Sequence, residues 1–376
     1  MVHFWHRVYL STMMIFWRLV LSALLISSVW GCSISGRMDS CGELIPNSFA
    51  RGFALYDCGA DTLLVLYNPD NRQDTLFTWR SGKPLERLAS ISTTHVPYLR
   101  ALNRMHWLVG MGADAYVRDD SLKAMLKSGS VKRISVGNEL NFEVTIASNP
   151  DALLVYPYGN TSYDAYREAG ILVVPISEYA EQHPLGRAEW LKVFGLLTGS
   201  WELALEHYDE MEAEYLLFRD ALAEEAERPT VFAGSYYKGQ WAAPSGESLM
   251  AQLLADAGAE YAFASHQGSE NISLDFEKVL ASIGGADFFG KVLHHKGAVT
   301  RDALMEEQER FQLLSRFEDG RIFYCNTAER DYFERGVLEP HLMLRDLGMI
   351  FHPERIGPHP VHYFETLQPV DSSDEP

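Results

Sequence analysis

Cysteine is scarce in this chain, with four residues among 376, and none of them forms a CxxC or CxxC-H motif. The sequence therefore gives no local signal for a thiol redox centre or for covalently attached haem. Basic side chains are also few, because 32 Lys and Arg stand against 51 Asp and Glu and the formal net charge is −19. Binding of nucleic acid requires a concentrated basic surface, so that class of function is excluded.

Common motifs of enzymes and metal sites are missing too. No G-x-S-x-G elbow and no HExxH helix occurs, so neither a serine hydrolase of that type nor a zinc protease is indicated. Gly285–Lys291 has phosphate-loop spacing, but Val292 stands where a Ser or Thr would ligate magnesium. We expect no cofactor and no metal site built by the protein, because the histidines are scattered; those near the C-terminus are His352, His359 and His362.

The N-terminal segment indicates export. Arg7 and Arg18 precede an apolar run that reaches Cys32 and is too short to span a bilayer comfortably. Val29–Cys32 resembles a bacterial lipobox, which implies that residues 1–31 are a lipoprotein signal peptide and that Cys32 carries the lipid. An ordinary signal peptide with an unrelated cysteine is the alternative. A lipid anchor would hold the mature protein at a membrane of the cell envelope, since each buried methylene contributes about 0.8 kcal/mol.

The remaining thiols belong to Cys41, Cys58 and Cys325. Because their number is odd, they cannot all pair internally in an oxidising compartment. A disulfide between Cys41 and Cys58 is possible, and the sequence leaves it open.

Length and hydrophobic content predict two α/β lobes, because 376 residues of which 47% are hydrophobic can bury two cores but leave little room for a third. From Arg87 onward, short apolar runs alternate with amphipathic stretches, a pattern that predicts a largely parallel sheet. Residues 187–228 contain no proline, which predicts one long helix or two abutting ones. The predicted fold is α/β: two lobes of mostly parallel sheet flanked by helices, joined by a single long helix.

The predicted boundaries follow these changes of pattern. Residues 53–79 alternate apolar and polar side chains around Asn68–Asn71, as in an antiparallel hairpin, and the acidic C-terminal tail should be disordered. The expected units are a signal peptide at 1–31, a tether and β-hairpin at 32–84, an N-terminal lobe at 85–186, a linking helix at 187–228, a C-terminal lobe at 229–367 and a disordered tail at 368–376.

Individual elements of the lobes are predicted from the same periodicities. The expected strands are 88–92, 107–111, 152–156, 171–175, 230–233 and 321–324. The expected helices are 94–104, 142–148, 162–169, 247–257, 274–281 and 337–350.

Several segments together resemble the helical-backbone class of periplasmic solute-binding proteins, which serve ABC importers for ferric siderophores, haem and cobalamin. The most specific match is Asn141–Val155, which is similar to the family's N-x-E-x-I-x-x-x-x-P-D-L-V block. Supporting matches, spread over about residues 85–365, are Glu86–Ser92, Val131–Gly137, Asp275–Ala281 and Asp331–Arg335.

The resemblance implies a monomeric binding protein and not an enzyme, whose partners are a small ligand and an importer permease. It also implies that Glu143 and Glu277, one in each lobe, dock on the permease. Each glutamate lies in the first turn of a predicted helix, where a carboxylate also stabilises the helix dipole by about 0.3–1 kcal/mol, and both roles can hold together. Because a single helix resists wide hinge bending, the cleft should be stiff and largely preformed.

Aromatic residues cluster where loops leave the predicted strands. Such loops line the crevice of an open α/β sheet, and rings with polar tips suit a large, flat ligand. The alternative is that the rings only plug the ends of the sheets. Asp331 either binds ligand amides or caps a helix. The candidate ligand-binding residues are Tyr116, Tyr156, Tyr158, Tyr236, Tyr237, Lys238, Trp241, Asp331, Tyr332 and Arg335.

Two other functions compete with ligand transport. One is an exported hydrolase acting on a cell-surface polymer through paired carboxylates such as Asp331 and Glu334. The other is a surface interaction lipoprotein that keeps the fold without a ligand.

Overall fold

The computed structural model describes residues 41–112, 117–137, 139–157, 161–224, 227–237, 240–305 and 317–368. The predicted signal peptide, Cys32, most of the predicted disordered tail and three predicted site residues, Tyr116, Tyr158 and Lys238, lie outside these ranges. Within the described ranges, no helix is both long and apolar enough to cross a membrane.

An antiparallel sheet precedes the lobes. Its strands pair in chain order and are β1 (Leu44–Ile45), β2 (Phe53–Asp57), β3 (Thr62–Tyr67) and β4 (Thr75–Arg80). The turn after Tyr67 joins β3 to β4, as predicted for a hairpin, but β1 and β2 make the sheet larger than expected. Leu55, Leu64 and Leu66 are fully buried against the first lobe. A disulfide joins Cys41 to Cys58.

The first lobe is built on a five-stranded parallel sheet in the order β11-β10-β5-β6-β7. Its strands are β5 (Leu88–Ser90), β6 (Leu108–Met111), β7 (Lys132–Arg133), β10 (Ala152–Val155) and β11 (Leu172–Pro175), with a small hairpin of β8 (Ser135–Val136) and β9 (Glu139–Leu140). Its helices are α1 (Val96–Ala101), α2 (Asp120–Ser128), α3 (Phe142–Ala147) and α4 (Asp164–Glu168).

Three helices follow, and the last of them is the long connection between the lobes. They are α5 (Pro184–Glu189), α6 (Leu191–Leu197) and α7 (Trp201–Ala223). The single long helix is confirmed, but it spans 23 residues and not all of 187–228. Gly199, in the left-handed conformation at φ +60°, ends α6 and lets the chain turn into α7. At about 1.5 Å per residue, α7 is roughly 35 Å long.

The second lobe has a mixed five-stranded sheet in the order β15-β12-β17-β18-β19, parallel except for β19. Its strands are β12 (Thr230–Ala233), β15 (Glu260–Tyr261), β17 (Phe288–Leu293), β18 (Ile322–Asn326) and β19 (Glu365–Thr366). A three-stranded antiparallel sheet adds β13 (Ser235–Tyr237), β14 (Gln240–Pro244) and β16 (Asn271–Leu274). The helices are α8 (Leu249–Asp256), α9 (Phe276–Gly284), α10 (Arg301–Met305), α11 (Pro340–Phe351) and α12 (Pro353–Ile356).

Each lobe has its own hydrophobic core, and α7 contributes to both. Tyr208 and Met211 pack into the first core, whereas Tyr215 and Leu222 pack into the second. Tyr208 and Tyr215 are fully buried, and burial of an apolar side chain of this size contributes about 1.5–3 kcal/mol. The two cores therefore share one helix, which links the lobes.

Candidate functional site

A cleft of about 940 Å³ opens between the lobes. On the first lobe it is bounded by Pro157, two residues after the end of β10, and by Tyr179, after β11. On the second lobe it is bounded by Gly234, directly after β12, and by residues of β17. The carboxyl ends of both sheets therefore face the same space, which is where open α/β sheets bind ligands.

Aromatic rings form much of the cleft wall. Tyr332 lies edge-on to Phe333 at 5.0 Å and to Phe364 at 6.0 Å between ring centroids, and all three line the cleft together with Tyr179. Phe333 is 57% exposed, which is unusual for a phenylalanine and leaves its ring available for a ligand. Tyr332 was predicted from the sequence, whereas Tyr179, Phe333 and Phe364 were not.

Of the residues that the structure describes, the basic side chains Arg72, Arg187 and Lys291 reach the cleft, each from a different part of the chain. Arg72 lies on the turn between β3 and β4, so the N-terminal sheet supplies part of the wall; its guanidinium donates to the Ala180 carbonyl at 3.3 Å. Carboxylates are present as well, at Asp70, Glu181 and Glu270. The cleft is therefore much less acidic than the whole chain, whose formal net charge is −19.

Two buried glutamates fix the N-terminal sheet beside the cleft. Glu189 is fully buried and accepts backbone N–H bonds from Ser48, Phe49 and Ala50 at 2.7–2.8 Å. Glu181 accepts the backbone N–H of Gly52 at 2.7 Å and that of Arg51. These contacts, invisible in the sequence because they join segments about 130–140 residues apart, hold the segment that leads into β2 against the first lobe.

A buried polar network lies directly behind the first-lobe wall. The Tyr156 hydroxyl hydrogen-bonds to Ser92 and, at 3.0 Å, to Thr94, whose hydroxyl donates to Glu178 at 2.6 Å. Burial lowers the pKa of His95, 3.8 Å from the same carboxylate, to about 4, so His95 is neutral at pH 7. Burial also raises the pKa of Tyr156.

Tyr156 thus occupies a supporting position and does not line the cleft itself. Its ring meets that of Tyr179 edge-on at 5.0 Å, and Tyr179 lines the cleft. Sequence position alone could not distinguish the two tyrosines.

The predicted residues on β13 and β14 differ in placement. Trp241 is 3% exposed and packs against Phe232 and Phe289 in the second core, so its assignment to the cleft wall was wrong. It points inward because alternate residues of a strand face opposite sides. Tyr236 is half-buried and packs against the same core. The backbone of Tyr237 lies in β13, and its side chain is outside the described part of the structure.

Asp331 and Arg335 were also misplaced, because they line a separate pocket of about 400 Å³ beside α1, α7 and α11. Arg335 forms an ion pair with Glu339 at 2.6 Å. Glu334 lines the same pocket, and burial raises its pKa to about 7. Tyr332 and Phe333 line the cleft, whereas Asp331, Glu334 and Arg335 line this pocket, so the chain divides the two spaces here.

The two predicted docking glutamates are exposed. Glu143 lies in the first turn of α3, whose N-terminus is capped by Asn141 accepting from the Val144 N–H at 3.0 Å. Glu277 lies in the first turn of α9, capped in the same way by Asp275. Because other residues cap both helices, neither glutamate carboxylate is needed as the N-cap. Both carboxylates can therefore make another contact at the N-terminal end of their helix.

The sequence model of the periplasmic binding protein family matches residues 88–312. This chain belongs to that family. The match runs from β5 into the second lobe and confirms the resemblance found in the sequence. The four-stranded N-terminal sheet of this periplasmic binding protein lies outside the matched residues.

Two uncharacterized lipoproteins of Methanocaldococcus jannaschii are similar to this binding protein. One is 23% identical over 317 residues, which cover 78% of this chain and 74% of the relative. The other is 21% identical over 261 residues, which cover 67% of this chain and 65% of the relative.

Solved structures share the fold at low sequence identity. A periplasmic binding protein from Veillonella parvula gives a TM-score of 0.62 at 14% identity, covering 78% of this chain and 99% of that one. A periplasmic heme-binding protein from Pseudomonas aeruginosa gives 0.57 at 16%, covering 76% and 99%. An ABC-type Fe³⁺-hydroxamate transport protein from Saccharomonospora viridis gives 0.55 at 18%, covering 77% and 98%.

Proposed function

We propose that this protein is the substrate-binding component of an ABC importer, which captures an iron chelate (siderophore or haem) or cobalamin between its lobes and delivers it to the permease. The observation that carries the proposal is the 940 Å³ cleft at the carboxyl ends of two sheets held apart by one helix. That volume lies at the upper end of the roughly 300–1,000 Å³ range of small-molecule sites, which favours a large ligand over a bare ion.

The chemistry of the wall supports a planar, anionic ligand. Exposed Phe333 and its neighbours Tyr332 and Phe364 offer ring faces and edges for stacking. Arg72 and Arg187 provide guanidinium groups for carboxylate, hydroxamate or propionate oxygens. The heme-binding and Fe³⁺-hydroxamate proteins that share this fold are consistent with such ligands.

Delivery would use Glu143 and Glu277. Helices α3 and α9 lead into the parallel strands β10 and β17, so each helix runs back across its sheet and begins near the carboxyl edge. Both glutamates then lie on the side of their lobe where the cleft opens, in position to pair with basic residues of a permease. Because the two lobes are joined by a stiff helix, such a pair of contacts measures their separation.

Anchoring through a lipid on Cys32 would keep the protein at the membrane that holds the importer. Both Methanocaldococcus jannaschii relatives are described as lipoproteins, which supports this part of the proposal. The protein binds its ligand without chemically changing it.

Isothermal titration of the purified chain with haemin, a ferric hydroxamate and cobalamin tests the proposal. We expect saturable one-to-one binding of one of these ligands, weakened about tenfold or more by Phe333→Ala and by Arg72→Ala, in line with the loss of a central contact. Leu217→Ala and Arg167→Ala, exposed substitutions on α7 and α4, are the matched controls.

Absence of saturable binding by all three ligands would contradict the proposed ligand class. Turnover of a polymer substrate that depends on Asp331 and Glu334 would instead favour the hydrolase. Unchanged affinity in both cleft variants would place the ligand elsewhere on the molecule.

A further inference from the structure

Asp346, His359 and His362 meet at the edge of the second lobe, outside the cleft and outside the residues that match the family. Asp346 lies in α11 and is fully buried. The two histidines lie on the proline-containing segment between α12 and β19. One donor atom from each of the three side chains lies within 4.8 Å of the others.

The two oxygens of Asp346 have different surroundings. Oδ2 accepts the backbone N–H groups of His362, Tyr363 and Phe364 at 3.1, 2.5 and 3.0 Å. Oδ1 accepts the backbone N–H of His362 at 3.3 Å and faces the Nδ1 atoms of His359 and His362, each at 3.7 Å. That distance is too long for a hydrogen bond. It is close to the separation of two ligands on one ion with bonds of about 2.0–2.2 Å.

Both histidine rings turn Nδ1 toward Asp346. The His359 side chain is 1% exposed, and each of its ring nitrogens lies near a backbone carbonyl: Nε2 is 3.2 Å from that of Arg345 and Nδ1 is 2.8 Å from that of Pro360. A proton on Nε2, donated to the Arg345 carbonyl, leaves the lone pair of Nδ1 for a metal ion. Nδ1 of His362 is buried and has no hydrogen-bond partner among the described residues.

When each imidazole carries its proton on Nε2, lone pairs from two imidazoles, a carboxylate oxygen and a carbonyl oxygen converge on one space. Without a positive charge between them they would repel, and only a proton on His359 or a cation would relieve the repulsion. A proton on His359 leaves Nδ1 of His362 without a partner, whereas a bound cation also takes the lone pair of that atom.

We propose that Asp346 Oδ1, His359 Nδ1 and His362 Nδ1 bind a divalent transition-metal ion of the Zn²⁺ type. Two imidazoles and one carboxylate select Zn²⁺ and similar ions over Mg²⁺ and Ca²⁺, which prefer oxygen ligands alone. Because the site lies outside the cleft, the role of the ion is structural. Asp346 also holds the backbone of Phe364 through Oδ2, and Phe364 lines the cleft, so the ion clamps one wall of the cleft to α11.

The test is a Zn²⁺ titration of the chelator-stripped full chain by calorimetry, with Mg²⁺ and Ca²⁺ titrated in parallel. We expect one Zn²⁺ per chain and a rise in melting temperature on binding. His362→Ala and His359→Gln should each weaken Zn²⁺ binding by roughly 10–100-fold or more, while the exposed His266→Ala should leave it unchanged.

Co²⁺ provides a second measurement that needs no activity. Visible absorption from low-symmetry Co²⁺ should appear in the wild-type chain and be lost in His362→Ala, a partly exposed position whose replacement should not prevent folding. The proposal is overturned if the wild-type chain binds no Zn²⁺, or if both histidine variants retain wild-type affinity and the Co²⁺ spectrum.

Discussion

Removal of the Glu189 carboxylate should release the N-terminal sheet from the rest of the molecule. Glu189→Ala leaves three backbone N–H groups and the ammonium of Lys192, which donates to Glu189 at 2.7 Å, without their buried acceptor. Removing one partner of a buried charged cluster typically costs about 3–5 kcal/mol. If the cost falls on local opening of residues 48–52, hydrogen-exchange protection there should drop by roughly 10² to 4 × 10³-fold, since about 1.4 kcal/mol is one factor of ten.

Hydrogen exchange of a peptide covering residues 45–55 measures this drop directly. Glu189→Gln keeps the shape but only one acceptor oxygen, so its protection should be intermediate. Glu206→Ala removes an exposed carboxylate from α7 and is the matched control, expected within about 0.5 kcal/mol of wild type. Unchanged protection of residues 48–50 in Glu189→Ala would refute the claim that this carboxylate attaches the N-terminal sheet to the first lobe.

Three further predictions concern stability, measured by urea unfolding. Gly234→Ala should lower the free energy of unfolding by about 1–3 kcal/mol or more, because the added Cβ would lie 2.4 Å from the Trp241 indole nitrogen and the backbone has φ +148°. Gly284→Ala is the control and should not destabilise the protein, because nothing lies within 4 Å of its added Cβ. Equal unfolding midpoints for the two variants would contradict this prediction. Burial raises the pKa of Glu334 from its usual 4.5 to about 7. The folded protein therefore holds this proton more tightly than the unfolded chain does, and the free energy of unfolding should fall as pH rises through that interval. Glu334→Gln should reduce this fall, and equal pH dependence in the variant and the wild type would contradict the prediction. Cys58→Ser, which opens the disulfide, should cost up to about 3 kcal/mol, and no loss would show that the bond does not constrain the unfolded chain.

Hydrophobic periodicity, together with glycine and proline residues that end helices and strands, located most elements of the lobes. Residues 230–233 were predicted as a strand and form β12 with the same bounds, and the helix predicted at 162–169 is present as α4, which is followed by Gly170 in the left-handed conformation. The pattern failed for β17, where Gly285–Lys291 was assessed only for phosphate-loop spacing although Phe288–Leu293 is a buried central strand. A parallel strand buried on both faces has no alternation to reveal it.

The cleft was harder to predict than the fold. Proximity in sequence grouped Asp331, Tyr332 and Arg335, but the chain turns there and divides them between two pockets. Tyr179 and Phe364 reach the cleft only through the packing of segments far apart in sequence, for which one sequence carries no signal. Arg72 was missed because the N-terminal sheet was treated as an addition, although Glu181 and Glu189 hold it at the cleft.

Fluorescent labelling at the cleft tests the central claim most directly. Burial raises the pKa of Cys325 to about 12 and keeps that thiol unreactive, and Cys41 and Cys58 are joined in a disulfide. In a Cys32→Ser chain, a cysteine introduced as Ser269→Cys, at an exposed position that lines the cleft, can therefore be labelled selectively. Leu217→Cys on the exposed face of α7 serves as the control. We predict that haemin, a ferric hydroxamate or cobalamin changes the emission of the label at 269 saturably and leaves the label at 217 unchanged. No saturable change at 269, or an equal change at both positions, would contradict ligand capture between the lobes.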